Sequence, residues 1–92
     1  MTFGGETYDR TRDRERLKAQ LSRVRRMMTD YEWHTLAELA SWTGDPEASV
    51  SARLRDLRKD KFGGYAIDRR YVEAGLWEYR MQPPESQLRL SL

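Results

Sequence analysis

The chain has 92 residues, of which 38% are hydrophobic and 35% are charged, a size that fits one domain with a small core. It contains no cysteine and one histidine, which excludes disulfides, thiolate metal sites and any pair of catalytic histidines. The net charge is only +2, and the acidic residues are scattered among basic ones instead of forming a catalytic pair. No apolar run approaches the roughly 20 residues of a membrane span. We therefore expect a cytoplasmic protein that is not an enzyme, with no cofactor, no small-molecule ligand and no membrane partner.

The first predicted element is a helix that follows a short flexible start. Residues 1–9 contain two adjacent glycines and show no periodicity, so we expect them to be flexible. From about Arg10 the chain lacks glycine and proline for some twenty residues, and apolar side chains recur at helical spacing at Leu17, Leu21, Val24 and Met28. This pattern predicts an amphipathic helix over 10–28.

Two shorter helices joined by a tight turn are predicted next. Thr35 and Glu38 have the spacing of a capping box, which marks the start of a helix, and Gly44 is suited to its end. Asp45 is then expected to cap a third helix, with Pro46 at its first position. That helix continues to about Asp60, because its apolar residues repeat by four and three at Val50, Leu54 and Leu57.

The period changes to two after Gly64, which predicts a β-hairpin. Polar and apolar residues alternate over 65–72, a turn follows at 73–75, and an aromatic-rich run covers 76–81. We place the domain at 10–81. For the tail, 82–92, disorder is favoured over an additional edge strand.

This order of elements predicts an α+β domain, mainly helical, with three helices followed by a hairpin. Residues 13–81 resemble small winged-helix proteins encoded by bacteriophages, on the segments TLAELA (35–40), SVSARLRDLRK (49–59) and LWEYR (76–80). The resemblance implies a winged helix-turn-helix protein of a bacterial or phage-infected cell, whose third helix is a recognition helix and whose hairpin is a wing. One departure is Arg53, since many relatives carry an apolar residue there. Leu54 is expected to take that packing role.

The basic residues are concentrated in the proposed recognition helix and wing. Residues 53–70 contain seven basic and three acidic residues, net +4, whereas the rest of the chain contains ten basic and twelve acidic residues, net −2. Such a patch is expected of a DNA-binding surface. The candidate DNA-binding residues on the helix are Ala48, Ser49, Ser51, Ala52, Arg53, Arg55, Arg58 and Lys59, and those on the wing are Arg69 and Arg70.

We assign these candidates two roles. The residues expected nearest the bases are Ser49, Ser51 and Arg55, because serine and arginine can reach base edges. The residues expected to hold phosphates are Arg53, Arg58, Lys59, Arg69 and Arg70. The resulting hypothesis is a sequence-specific double-stranded DNA-binding protein, a transcriptional regulator of the phage type, with a homodimer left open.

Two alternatives keep the same fold. One is a protein-interaction module that targets a host protein, since a winged helix does not by itself imply DNA binding. The other is a DNA-bending accessory factor for recombination.

The aromatic residues and the single histidine have structural interpretations. We assign Trp33, Trp42, Trp77 and Tyr79 to the core and its rim, not to a platform for base stacking. His34 has no Cys or His partner at metal-ligand spacing, so a structural or exposed position is expected.

Overall fold

The computed structural model describes the backbone of residues 3–83 and the side chains of residues 11–83. In chain order, the elements are α1 (Phe3–Met28), β1 (His34–Thr35), α2 (Leu36–Thr43), α3 (Glu47–Leu57), a 3-10 helix (Asp60–Phe62), β2 (Ile67–Glu73) and β3 (Leu76–Met81). The strands form one antiparallel sheet in the order β1-β3-β2. This small α+β arrangement is compatible with a winged helix.

Helix α1 is longer than predicted. It begins at Phe3, seven residues before the predicted start at Arg10, and residues 1 and 2 lie outside the described part. Residues 3–9 contain Gly4 and Gly5, which have low helix propensity, and no apolar repeat, so neither signal in the sequence predicts these first turns. Most of the predicted tail, 84–92, also lies outside the described residues.

Helix α2 has the predicted ends. The backbone N–H of Glu38 donates to Thr35 Oγ1 at 3.1 Å, and the N–H of Thr35 donates to Glu38 Oε1 at 2.9 Å, which confirms the capping box. Gly44 ends the helix with φ 79°, and its N–H donates to the carbonyl of Ala40. A glycine is needed there because other residues rarely adopt that conformation.

Helix α3 begins one residue later than predicted, and Asp45 does not cap it. Pro46 holds the N-cap position and the helix ends at Leu57, short of the predicted Asp60, where the separate 3-10 turn begins. The Asp45 carboxylate is buried and accepts two hydrogen bonds from Arg23 of α1, at 3.1 and 2.8 Å. These bonds lower the pKa of Asp45, although burial alone would raise it. Asp45 therefore fixes the start of α3 to α1.

The core is aliphatic. Its buried residues come from all three helices and from the end of the hairpin opposite its turn: Val24, Met28, Leu39, Val50, Leu54, Leu57, Ile67 and Met81. Trp42 and Trp77 have 52% and 37% of their surface exposed. Neither indole lies in the core, whereas Tyr79, from the same set assigned to the core and its rim, packs against it.

The hairpin is confirmed, with Ala74 and Gly75 at its turn, where φ is 47° and 78°. A register shift between Tyr71 and Glu73 adds a bulge to β2 near this tip. Strand β1 was not predicted, because two residues are too few to show a period. It pairs His34 with Tyr79 of β3.

His34 has a structural role, as expected. Its Nε2 lies 2.9 and 2.8 Å from the two carboxylate oxygens of Asp30, and its ring packs edge-on against Trp42 at 4.9 Å. Burial raises the pKa of Asp30, but hydrogen bonds from the Glu32 backbone and from His34 outweigh that effect and lower it. The pair stabilises the connection between α1 and α2.

Candidate nucleic-acid interface

Helix α3 has three different sides. Its core side carries Val50, Leu54 and Leu57, all buried. Because successive residues are 100° apart, Arg53 and Arg55 leave the helix in different directions. Arg53 lies against α1, whereas Arg55 lies on the side that faces the hairpin.

The hairpin side of α3 forms a cleft with the sheet, which we call the hairpin cleft. It has a volume of about 200 Å³. Its lining consists of Ser51, Leu54, Arg55 and Arg58 from α3, and Arg69 and Tyr79 from the hairpin. Four of the predicted DNA-binding residues therefore lie around one cleft: Ser51, Arg55, Arg58 and Arg69.

The guanidinium groups of the hairpin cleft lack acidic partners. Among the described residues, Arg55 and Arg69 form no ion pair. The Arg69 guanidinium lies over the Trp77 ring at 4.8 Å, which orients the group without neutralising it. The third arginine, Arg58, donates through Nη2 to the carbonyl of Ile67 at 2.8 Å. This bond ties the end of α3 to β2.

Arg53 is held within the protein. Its Nη1 donates to Gln20 Oε1 of α1 at 3.1 Å, and its Nε lies 3.0 Å from Asp56 Oδ2. Only 13% of its side chain is exposed. Arg53 is therefore engaged within the protein, because Asp56 of α3 pairs its charge and its Nη1 is directed at α1. Its role as a phosphate contact stays a prediction.

Arg70 is also engaged within the protein. Residues alternate between the faces of a strand, so Arg69 faces the hairpin cleft and Arg70 faces away from it. Arg70 Nη2 lies 2.7 Å from Glu78 Oε1, and its guanidinium lies 4.2 Å from the centre of the Trp33 ring. Arg80 lies against the same ring at 4.5 Å, so two guanidinium groups contact Trp33.

The remaining predicted contacts lie outside the hairpin cleft. Lys59 Nζ is 3.2 Å from Asp56 Oδ1, but most of its side chain is exposed. Three small residues of α3, Ala48, Ser49 and Ala52, border a different groove, which lies between α1 and α3 and has a volume of about 520 Å³. Ala48 is exposed, and the other two are half-buried.

Tyr79 has one contact that was not predicted from the sequence. It was assigned to the core and its rim, and it packs against the core, but its half-buried side chain also lines the hairpin cleft. The pairing of the two hairpin strands indicates this position, since Tyr79 lies directly opposite Arg69. Directly paired residues share a face of the sheet.

Comparisons of this chain with protein-family models, with curated proteins and with solved structures give no match. Within the described residues, no helix combines the length and the apolar character that crossing a membrane would require.

Proposed function

We propose that this protein binds double-stranded DNA as a winged-helix module, with α3 as the recognition helix in the major groove and the hairpin as the wing. In this proposal it acts by occupying a site on the duplex, as a transcriptional regulator, and not by catalysis. The observation that carries the proposal is the hairpin cleft, where three arginines from α3 and the hairpin meet without a carboxylate partner in the described part of the chain.

The charge of the cleft favours a polyanion as its ligand. Unpaired guanidinium groups on a protein surface attract phosphates, and each can donate two parallel hydrogen bonds. The side chain of Arg55 is exposed and forms no hydrogen bond or ion pair with the described residues, so it is the best candidate for a base contact, guanine above all. Arg58 and Arg69 lie beside it and would hold the backbone.

The experiment is capture of sheared genomic DNA from the source organism by the purified protein, followed by sequencing of the retained fragments. We expect enrichment of a few sites near promoters, which identifies a sequence-specific regulator. The spacing of half-sites then gives the symmetry of the bound protein.

The variant Arg55→Ala is the matched comparison, because no described contact of the fold depends on this side chain. It should retain less DNA and lose the enrichment. Retention by the wild type without any enrichment would support an architectural role instead. No retention even at low salt would contradict the proposal and favour a protein partner.

A further inference from the structure

A second surface, which we call the basic groove, lies between α1 and the 3-10 turn. It has a volume of about 340 Å³ and is lined by Arg14, Leu17, Lys18, Leu21, Asp56, Lys61 and Phe62. Its floor is apolar, and Leu17 has 45% of its surface exposed there. An exposed leucine beside half-buried Leu21 and Phe62 indicates a surface that can bind an apolar side chain.

The rim of the basic groove has cations without acidic partners. Within the described residues, Arg14, Lys18 and Lys61 form no ion pair, and the one acid of the groove, Asp56, is already bound by Arg53 and Lys59. The groove therefore suits an apolar side chain flanked by carboxylates.

The tip of the hairpin has the complementary composition, and we call it the acidic tip. Val72, Leu76 and Trp77 have 42%, 44% and 37% of their surface exposed. Glu73 is the register partner of Leu76, and Glu47 lines the same pocket as Leu76 and Trp77. Neither glutamate forms an ion pair with a described residue.

These two surfaces lie toward opposite ends of α3. Glu47 is the first residue of this helix, whereas the basic groove begins at Asp56 and extends to the 3-10 turn beyond its last residue. At 1.5 Å per residue, the ends of the helix are separated by about 15 Å. One copy therefore cannot place its own acidic tip in its own groove, but it can offer both surfaces to neighbours.

We propose that this chain self-associates head to tail, with the acidic tip of one copy seated in the basic groove of the next. Such a contact joins two different surfaces, so each added copy presents one free surface of each kind, and the assembly grows as an open chain unless the rotation between copies closes a ring. Each surface is only a few side chains wide, far below a standard stable interface, so the association is weak and depends on concentration. It requires no DNA and does not use Arg55 or Arg58, so it can be tested without DNA, although Trp77 of the acidic tip also contacts the Arg69 guanidinium.

The test is sedimentation velocity of the full chain without DNA, from micromolar to millimolar concentration. The wild type should gain mass continuously beyond a dimer as concentration rises, and less so at high salt, because exposed ion pairs are screened. A wild type that stays monomeric throughout, or that stops at a dimer, would overturn the proposal.

Two charge reversals make the test specific. Glu73→Lys and Lys61→Glu should each stay monomeric, because each places like charges at the contact. Their equimolar mixture should associate again, since each variant then offers a surface of opposite charge to the other. Glu32→Lys, an exposed charge change away from both surfaces, is the control and should associate as the wild type does. Circular dichroism verifies folding, and variants that associate alone, or a mixture that stays monomeric, would refute the head-to-tail contact.

Discussion

The two sides of α3 carry the same residue type in opposite electrostatic states. On the side toward α1, Arg53 is bound by Gln20 and Asp56, and Asp45 is bound by Arg23. On the side toward the hairpin, Arg55 has no acidic partner in the described chain. The first side uses its charges to join two helices, whereas the second leaves them available to a ligand. The number of arginines in a helix is therefore a poor guide to its binding surface, and the number left unpaired is a better one.

The largest expected effect is on the α1 side. Asp45→Ala should lower the free energy of unfolding by about 2–3 kcal/mol, because two charge-assisted hydrogen bonds are lost. Urea denaturation measures this change. Asp13→Ala removes the exposed pair with Arg16 and is the control, with an expected cost below about 0.5 kcal/mol. Equal losses in the two variants would show that the Arg23–Asp45 pair does not join α1 to α3 as described.

On the hairpin side, the expected effect is on binding and not on stability. Arg55→Ala should weaken binding to the preferred duplex by about 1–3 kcal/mol if this residue contacts a base, with an unchanged free energy of unfolding. Titration of a labelled duplex measures the affinity. The control is Arg53→Ala, which should retain the affinity but lose about 1 kcal/mol of stability with its hydrogen bond. If Arg53→Ala lost affinity and Arg55→Ala lost stability, the roles assigned to the two sides of α3 would be wrong.

The dependence of stability on pH sharpens the same contrast. The pKa of Asp45 is lowered by Arg23, so its stabilising contribution is complete above the ordinary carboxyl pKa of about 3.9. It is lost as the pH falls through the lower folded value. The difference in melting temperature between the wild type and Asp45→Asn should therefore be constant near neutral pH and shrink below about pH 4. A difference that grows on acidification would contradict the assigned direction.

The smallest expected effect separates the two faces of the hairpin. Arg69→Ala should reduce the salt dependence of DNA binding by about one phosphate contact, because Arg69 faces the hairpin cleft. Arg70→Ala should leave that slope unchanged, since Arg70 is bound by Glu78 on the other face. Affinity titrations at several salt concentrations measure both slopes. Equal changes would mean that both faces of the hairpin contact phosphate.

Much of the fold was predictable, because its signals are local. Only neighbouring residues are needed to recognise the capping box at Thr35, the helix end at Gly44, and the helical and strand spacings of the apolar residues. The contact of Arg53 with α1 was not predictable, since Gln20 is 33 residues away, whereas its ionic partner Asp56 is only three residues along the same helix. The contact of Asp45 with α1 was not predictable either, because Asp45 has the sequence of a helix cap but is bound by Arg23, 22 residues away. The opposite directions of Arg69 and Arg70 were predictable, because adjacent residues of a strand point to opposite faces of the sheet.

The central claim is that unpaired arginines of the hairpin cleft bind the DNA backbone and bases. Its most direct test is the affinity for a labelled duplex, bearing a captured site, measured across a range of salt concentrations. Arg58 and Arg69, each neutralising one phosphate, predict a slope of about −2 in log affinity against log salt. The triple variant with alanine at positions 55, 58 and 69 should lose most of this slope. A wild type that does not bind at low salt, or a triple variant with the wild-type slope, would contradict the account.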